Sequence, residues 1–185
     1  MSAFSTVRLI NIVSAAVVLI LFLVHAVGNA LQFMYFGSVM PEVISYVMLA
    51  FIVIHIVCGC ILFARTWKAQ KSAGVSYWLA NKRFWCVRIT GIAVLLLIIF
   101  HLAVFWQFDA SVVRLNEFGF VELTFSALFV LCLFLHVSCN FEPLAISLGI
   151  ANPRGRAIDC VLVMCVLAMV MVVGFGVYWL RWSSI

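Results

Sequence analysis

Five long apolar runs, at about 8–35, 41–64, 84–108, 119–141 and 156–181, leave this 185-residue chain only short polar segments between them. A helix rises about 1.5 Å per residue, so each run is long enough to cross the ~30 Å hydrocarbon core of a bilayer. In lipid the backbone must satisfy its own polar groups, which restricts spanning structures to helices and closed barrels. These runs lack the two-residue alternation of barrel strands. The expected fold is therefore all-α: an integral membrane bundle of five transmembrane helices, one domain over residues 1–185. Composition points the same way. Charged residues are 9% of the chain and hydrophobic ones 68%, whereas soluble domains carry ~25% charged residues. Membrane lipid is the solvent that fits, and nucleic acid is not an expected partner, because the basic residues sit between apolar runs.

The punctuation between runs follows helix-end chemistry. Gly37 to Pro41 separate the first two spans, with Pro41 and Glu42 suited to a helix start. A polar stretch from Arg65 to Arg83 separates the second and third, and Asp109 to Gly119 turns the chain before the fourth. The segment from Glu142 and Pro143 through Asn152, Pro153, Arg154 and Gly155 is expected to separate the last two, part of it as a short interfacial helix. With five spans, Arg8, Arg65, Lys68, Lys71, Lys82, Arg83, Arg88, Arg154 and Arg156 fall on one side, and only Arg114 and Arg181 on the other. The positive-inside rule then puts the amino terminus in the cytoplasm. Trp67, Trp78, Trp85, Trp106, Trp179 and Trp182 lie near span ends, as an interfacial aromatic belt requires. The run after Arg8 is too long for the apolar core of a signal peptide and reads as the first span.

Seven cysteines suggest neither a disulfide framework nor zinc, since Cys58, Cys132, Cys139, Cys160 and Cys165 lie within or beside apolar runs. They read as small packing residues. The histidines are different. All four lie inside spans, His25, His55, His101 and His136, one on each of the first four helices and none on the fifth. An ionisable residue inside a span is a functional hypothesis by default.

Depth sorts them. His25 is 17 residues past Arg8 and His101 is 13 past Arg88, which puts both ~20–25 Å from the inner edge on outward-running helices. His55 is 13 past Glu42 and His136 is 14 past Glu122, each ~20 Å from the outer edge on inward-running helices. The result is an outer pair, His25 with His101, and an inner pair, His55 with His136, ~10 Å apart along the membrane normal. Two imidazoles at one depth on different helices suit a planar haem held between them, with both axial positions of the iron filled. A lone intramembrane histidine commonly serves as an interhelical hydrogen-bonding group. A zinc or non-haem iron site would gather its ligands at one depth, usually with carboxylates or thiolates. One histidine per helix and two per depth favour haem ligation over hydrogen-bonding or proton-handling histidines and over a non-haem metal. Gly28 and Gly59 follow a histidine by three and four residues and could admit a flat group to the backbone. Gly91 is assigned to helix packing. Phe22, Phe51, Phe105 and Leu133 are candidates for haem edges or for ordinary packing. Cys58 and Cys139, three residues after a histidine, and Cys132, four before one, are candidates for thiols facing the inner haem. The C-x-x-C-H signature of covalent attachment is missing.

With these residues in view, the chain resembles the single-chain, di-haem cytochrome b subunit of succinate dehydrogenase and fumarate reductase complexes. The likeness is carried by five spans, a histidine on each of the first four, and local stretches. These are Arg8-Leu9 through Ser14, Phe22-Leu23-Val24-His25 with Asn29, Arg88-Ile89-Thr90-Gly91 ahead of His101, and His136 to Asn140 with Pro143 and Leu148-Gly149-Ile150. The resemblance implies two haem b groups, ligated by His25 with His101 and by His55 with His136. It implies a FAD-containing flavoprotein and an iron–sulfur subunit docked on the cytoplasmic face, where succinate and fumarate are interconverted. This chain would have no dicarboxylate site of its own and would carry electrons to or from menaquinone or another quinone. Its place would be the cytoplasmic membrane of a prokaryote. Arg8, Arg65 and Arg88 are candidates for haem propionates and equally for topology determinants. Glu42 is the candidate for quinone protonation, and is also the acidic residue a helix amino terminus favours. The chain departs from proton-coupled variants of this chemistry in having no intramembrane Asp or Glu for a transmembrane relay.

Two other functions compete. Di-haem cytochrome b anchors of nitrate reductase, hydrogenase or formate dehydrogenase often draw two ligands from one helix, and no helix here has two. A haem-free transporter or scaffold would be expected to show Gly/Pro breaks at mid-membrane, but Pro41, Pro143 and Pro153 all sit at span edges.

Overall fold

A computed structural model of the chain describes residues 3–33, 42–74, 82–105, 118–150 and 153–183. It holds five helices, α1 Ala3–Phe33, α2 Glu42–Ser72, α3 Lys82–Phe105, α4 Phe120–Ser147 and α5 Pro153–Ser183, with no strand among the described residues. All five are long and apolar enough to cross a membrane. Their outward faces are greasy. Ile20, Leu96, Ile99, Leu162 and Met169 are each more than half exposed, whereas Ser14, Thr90 and Ser126 are buried. That inversion of a soluble protein's pattern is what a lipid solvent selects.

The helices form two antiparallel hairpins, α1–α2 and α3–α4, backed by α5, which packs against both α1 and α4. Phe22 and Ala26 of α1 meet Met164 and Leu167 of α5 in the buried core, and Phe118, Val130 and Phe175 form a second cluster that includes the residue just before α4. Among the described residues no Cα pair comes within 8 Å between α1 and α3, between α2 and α4, or between α2 and α3. Between the hairpins α1 touches α4, while α2 and α3 stand apart across a gap. Side chains bridge it at one end, where Trp67 meets Trp85 edge-on at 5.9 Å and the Arg88 guanidinium lies 5.4 Å from the Phe63 ring centre.

Two helices run further than their apolar cores. The second span was expected to stop at 64, yet α2 continues to Ser72 and ends on Gly74, whose φ of +62° suits glycine. Arg65, Lys68 and Lys71 extend the helix because long basic side chains carry their charge out to water, and Lys71 in the last turn complements the helix dipole. The stretch from Glu142 and Pro143 was expected to lie between helices, but α4 runs through it to Ser147. Pro143 has no N–H to offer the Cys139 carbonyl one turn back. Arg83 of α3 supplies that bond instead, Nε donating to the Cys139 oxygen at 2.9 Å while Nη1 pairs with Glu142 at 2.7 Å. The helix finally stops at Gly149, φ +72°, where Ile150 N–H bonds to Ala145 O and Gly149 N–H to Ile146 O. This is the paired closure of a Schellman motif. At the start of α4 the Glu122 carboxylate accepts from the Gly119 N–H at 2.8 Å.

Candidate functional site: two tiers of histidines

Each hairpin carries two of the four histidines. In the outer tier the rings of His25 on α1 and His101 on α3 stand with centroids 6.4 Å apart and planes inclined by 74°. A metal–imidazole bond is ~2 Å long, so two rings coordinating one ion from opposite sides have centres roughly 6 Å apart. The observed spacing is the one such a sandwich needs. His25 Nδ1 lies 3.1 Å from Ser45 Oγ, near the start of α2. Asn29 Nδ2 lies 3.2 Å from the same nitrogen, so Ser45 and Asn29 together fix the ring's orientation through Nδ1. His101 is flanked by Phe105 at 4.7 Å and Phe129 at 5.3 Å. Its Nδ1 is buried with no hydrogen-bond partner among the described residues.

The inner tier is built differently. His136 on α4 lies against its own hairpin partner: a Cβ placed on Gly91 would sit 3.2 Å from His136 Cε1. Thr90 Oγ1 donates to the Cys86 carbonyl at 2.7 Å and lies 3.2 Å from His136 Nδ1. A hydroxyl has one hydrogen. With it given to Cys86, the oxygen accepts from Nδ1–H, and His136 keeps Nε2 unprotonated. His55 on α2 has a buried Nδ1 without a hydrogen-bond partner among the described residues. One turn on, a Cβ at Gly59 would meet nothing within 4 Å, so this helix face opens onto free space. One histidine of each tier is followed four residues later by an asparagine that bonds back to its carbonyl: Asn29 to His25 and Asn140 to His136, both at 2.7 Å.

The tiers are further apart than depth counting from charged residues suggested. Ser45, level with His25, precedes His55 by ten residues, and Gly91, level with His136, precedes His101 by ten. Both intervals amount to ~15 Å rather than ~10 Å. The discrepancy comes from Arg88, taken as an edge marker although α3 begins at Lys82. Its guanidinium lies 3.2 Å from the Phe84 ring centre, and Nη1 donates to the Phe84 carbonyl at 2.9 Å. Aromatic faces and a backbone acceptor hold a cation where water does not reach freely.

Of the three arginines considered for propionates, Arg8 and Arg65 are exposed. Arg88 is half-buried beside the inner tier, its buried Nε without a hydrogen-bond partner among the described residues. Glu42 opens α2, but its side chain lies outside the described residues. Phe105 does line a histidine. Phe22 and Leu133 turn instead toward α5. Gly91, assigned to helix packing, is the seat of the His136 ring. Phe129 was missed; it lies two turns before His136 on the same helix face, and that spacing was the available signal. Among the described residues no three His, Cys, Asp or Glu side chains converge as a metal site, so the arrangement offers opposed nitrogens rather than an all-protein cage.

Compared with models of protein families, with curated proteins and with solved structures, the chain finds no match in any of the three.

Proposed function

We propose that this multi-pass membrane protein is the anchor and electron-transfer subunit of a succinate:quinone or quinol:fumarate oxidoreductase, holding two bis-histidine b haems. The observation that carries this reading is the outer pair, two imidazoles from opposite hairpins 6.4 Å apart in an apolar gap. The Nδ1 atoms of His55 and His101, buried without a hydrogen-bond partner among the described residues, the free space at Gly59 and the lack of close backbone contact between α1 and α3 and between α2 and α4 all fit a flat group between them. A haem held between these histidines would supply one-electron transfer rather than oxygen chemistry.

The chain's own residues divide the work. His25 and His101 hold the outer group, and His55 and His136 the inner one. Ser45 and Thr90 fix the ring orientations of His25 and His136 through Nδ1. Phe105 and Phe129 keep water from His101. Arg88 offers a guanidinium to a propionate beside the inner tier, with Arg8 and Arg65 as weaker candidates at the surface. Glu42 is the candidate proton donor for a quinone at the outer edge. The basic ends, including Arg65, Lys68 and Lys71, support an amino terminus on the cytoplasmic side by the positive-inside rule, and in the cytoplasmic membrane of a prokaryote a flavoprotein and an iron–sulfur subunit would dock on that face.

Affinity purification of the tagged chain from its native membranes tests the assignment. Co-purifying FAD and non-haem iron in proportion to the chain is the expected result. Molybdenum or nickel in their place would assign the chain to a nitrate reductase, formate dehydrogenase or hydrogenase complex.

A further inference from the structure

The seam between α3 and α4 carries two thiols that the haem reading does not use. Cys86 and Cys139 face each other with their sulfurs 3.1 Å apart, both half-buried and both reduced. A disulfide needs ~2.05 Å, so closure asks for a movement of about an ångström. The seam is fixed on either side of the pair. One turn before Cys86, Arg83 holds the Cys139 carbonyl and Glu142. One turn after it, Thr90 meets His136, itself one turn before Cys139. Both helices are thus held in the register that keeps the thiols opposed. The Arg83–Glu142 pair is 44% and 29% exposed, which places the thiols at the wet margin of the span, within reach of a soluble reactant.

We propose that Cys86 and Cys139 form a reversible disulfide, a redox-set staple between α3 and α4 one turn from His136. The oxidant is a low-molecular-weight disulfide of the glutathione class. One protein thiolate attacks a sulfur of the oxidant, forming a mixed disulfide and expelling one glutathione thiolate. The second protein thiolate attacks the protein-side sulfur and expels the other. The protein loses two electrons and two protons, and the oxidant is recovered as two thiols. In a reducing compartment such a bond is transient and reports the local thiol poise. The staple is independent of whether the histidines hold haem.

The test uses the full-length protein in its membranes, equilibrated with mixtures of reduced and oxidised glutathione, quenched, alkylated and analysed by peptide mass spectrometry. At the oxidising end, alkylatable cysteines fall from seven to five per chain, and a Cys86–Cys139 linked peptide appears that dithiothreitol removes. Cys86→Ser and Cys139→Ser each abolish that peptide. Cys165→Ser, on an exposed position of α5, leaves it unchanged. The wild-type trace decides the matter even if a seam variant folds poorly. Full alkylation of both residues at the oxidising end, or glutathione adducts on them that never resolve into the linked peptide, would overturn the proposal.

Discussion

The two histidine tiers solve one geometric problem by opposite means. In the outer tier the rings face each other across the hairpins, and His101 is held by apolar contact with Phe105 and Phe129. In the inner tier His136 is held by polarity and close approach, with Thr90 on Nδ1 and the bare backbone of Gly91 beneath the ring. The position of the His101 ring follows from packing, which tolerates small changes of volume. That of His136 follows from one hydroxyl and one missing Cβ, which do not.

The largest expected effects are on the histidines themselves. His101→Ala and His136→Ala should each halve the haem bound per chain, measured as pyridine haemochrome, and each should leave the other tier's spectral component intact. Loss of both components from a single substitution would mean the tiers are not separable. Next come the glycines. Gly91→Val places branched carbon where His136 Cε1 sits 3.2 Å from even a methyl, so the inner component should be lost and the outer kept. Gly59→Leu meets no protein atom near its Cβ. It should leave helix content unchanged in circular dichroism yet lower inner haem content, and normal haem loading would show that the space beside Gly59 has another use.

Smaller effects belong to the orienting hydroxyls. Ser45→Ala and Thr90→Ala should weaken their own tier by about 10-fold in haem retention, read by titrating the apoprotein with haem. Thr90 should matter more, because Ser45 only adjusts a tier that aromatic packing already encloses. The smallest effect lies on the inner tier's seam. Arg83→Ala leaves the Cys139 carbonyl without its donor, at a cost of about 1 kcal/mol for a partly exposed bond. Pro143→Ala restores a helical N–H to that carbonyl, so the double variant should recover most of the lost melting temperature. Additive losses would disconnect Arg83 from the proline.

The sequence made the fold readable because lipid enforces it. Uninterrupted apolar runs between basic segments have few outcomes other than helices, and the histidines inside them stood out by their cost. Helix ends were less legible. Pro143 read as a break because its compensating donor, Arg83, comes from another helix, and no local pattern announces that pairing. The tier spacing was misjudged for a related reason: a basic residue marks the membrane edge only when its charge reaches water, and Arg88 folds back onto Phe84. The roles of Gly91 and Phe129 depended on how α3 and α4 rotate about their axes. That rotation is set by contacts with α5 and across the seam, which periodicity along one strand of text does not encode.

The most direct measurement is a dithionite-reduced minus oxidised optical spectrum of the purified complex, with haem quantified against protein. Two b-type haems per chain, each removed by substitution of one histidine pair, is the expected outcome. A colourless preparation that also fails to take up added haem would mean the paired imidazoles serve hydrogen bonding or proton handling instead.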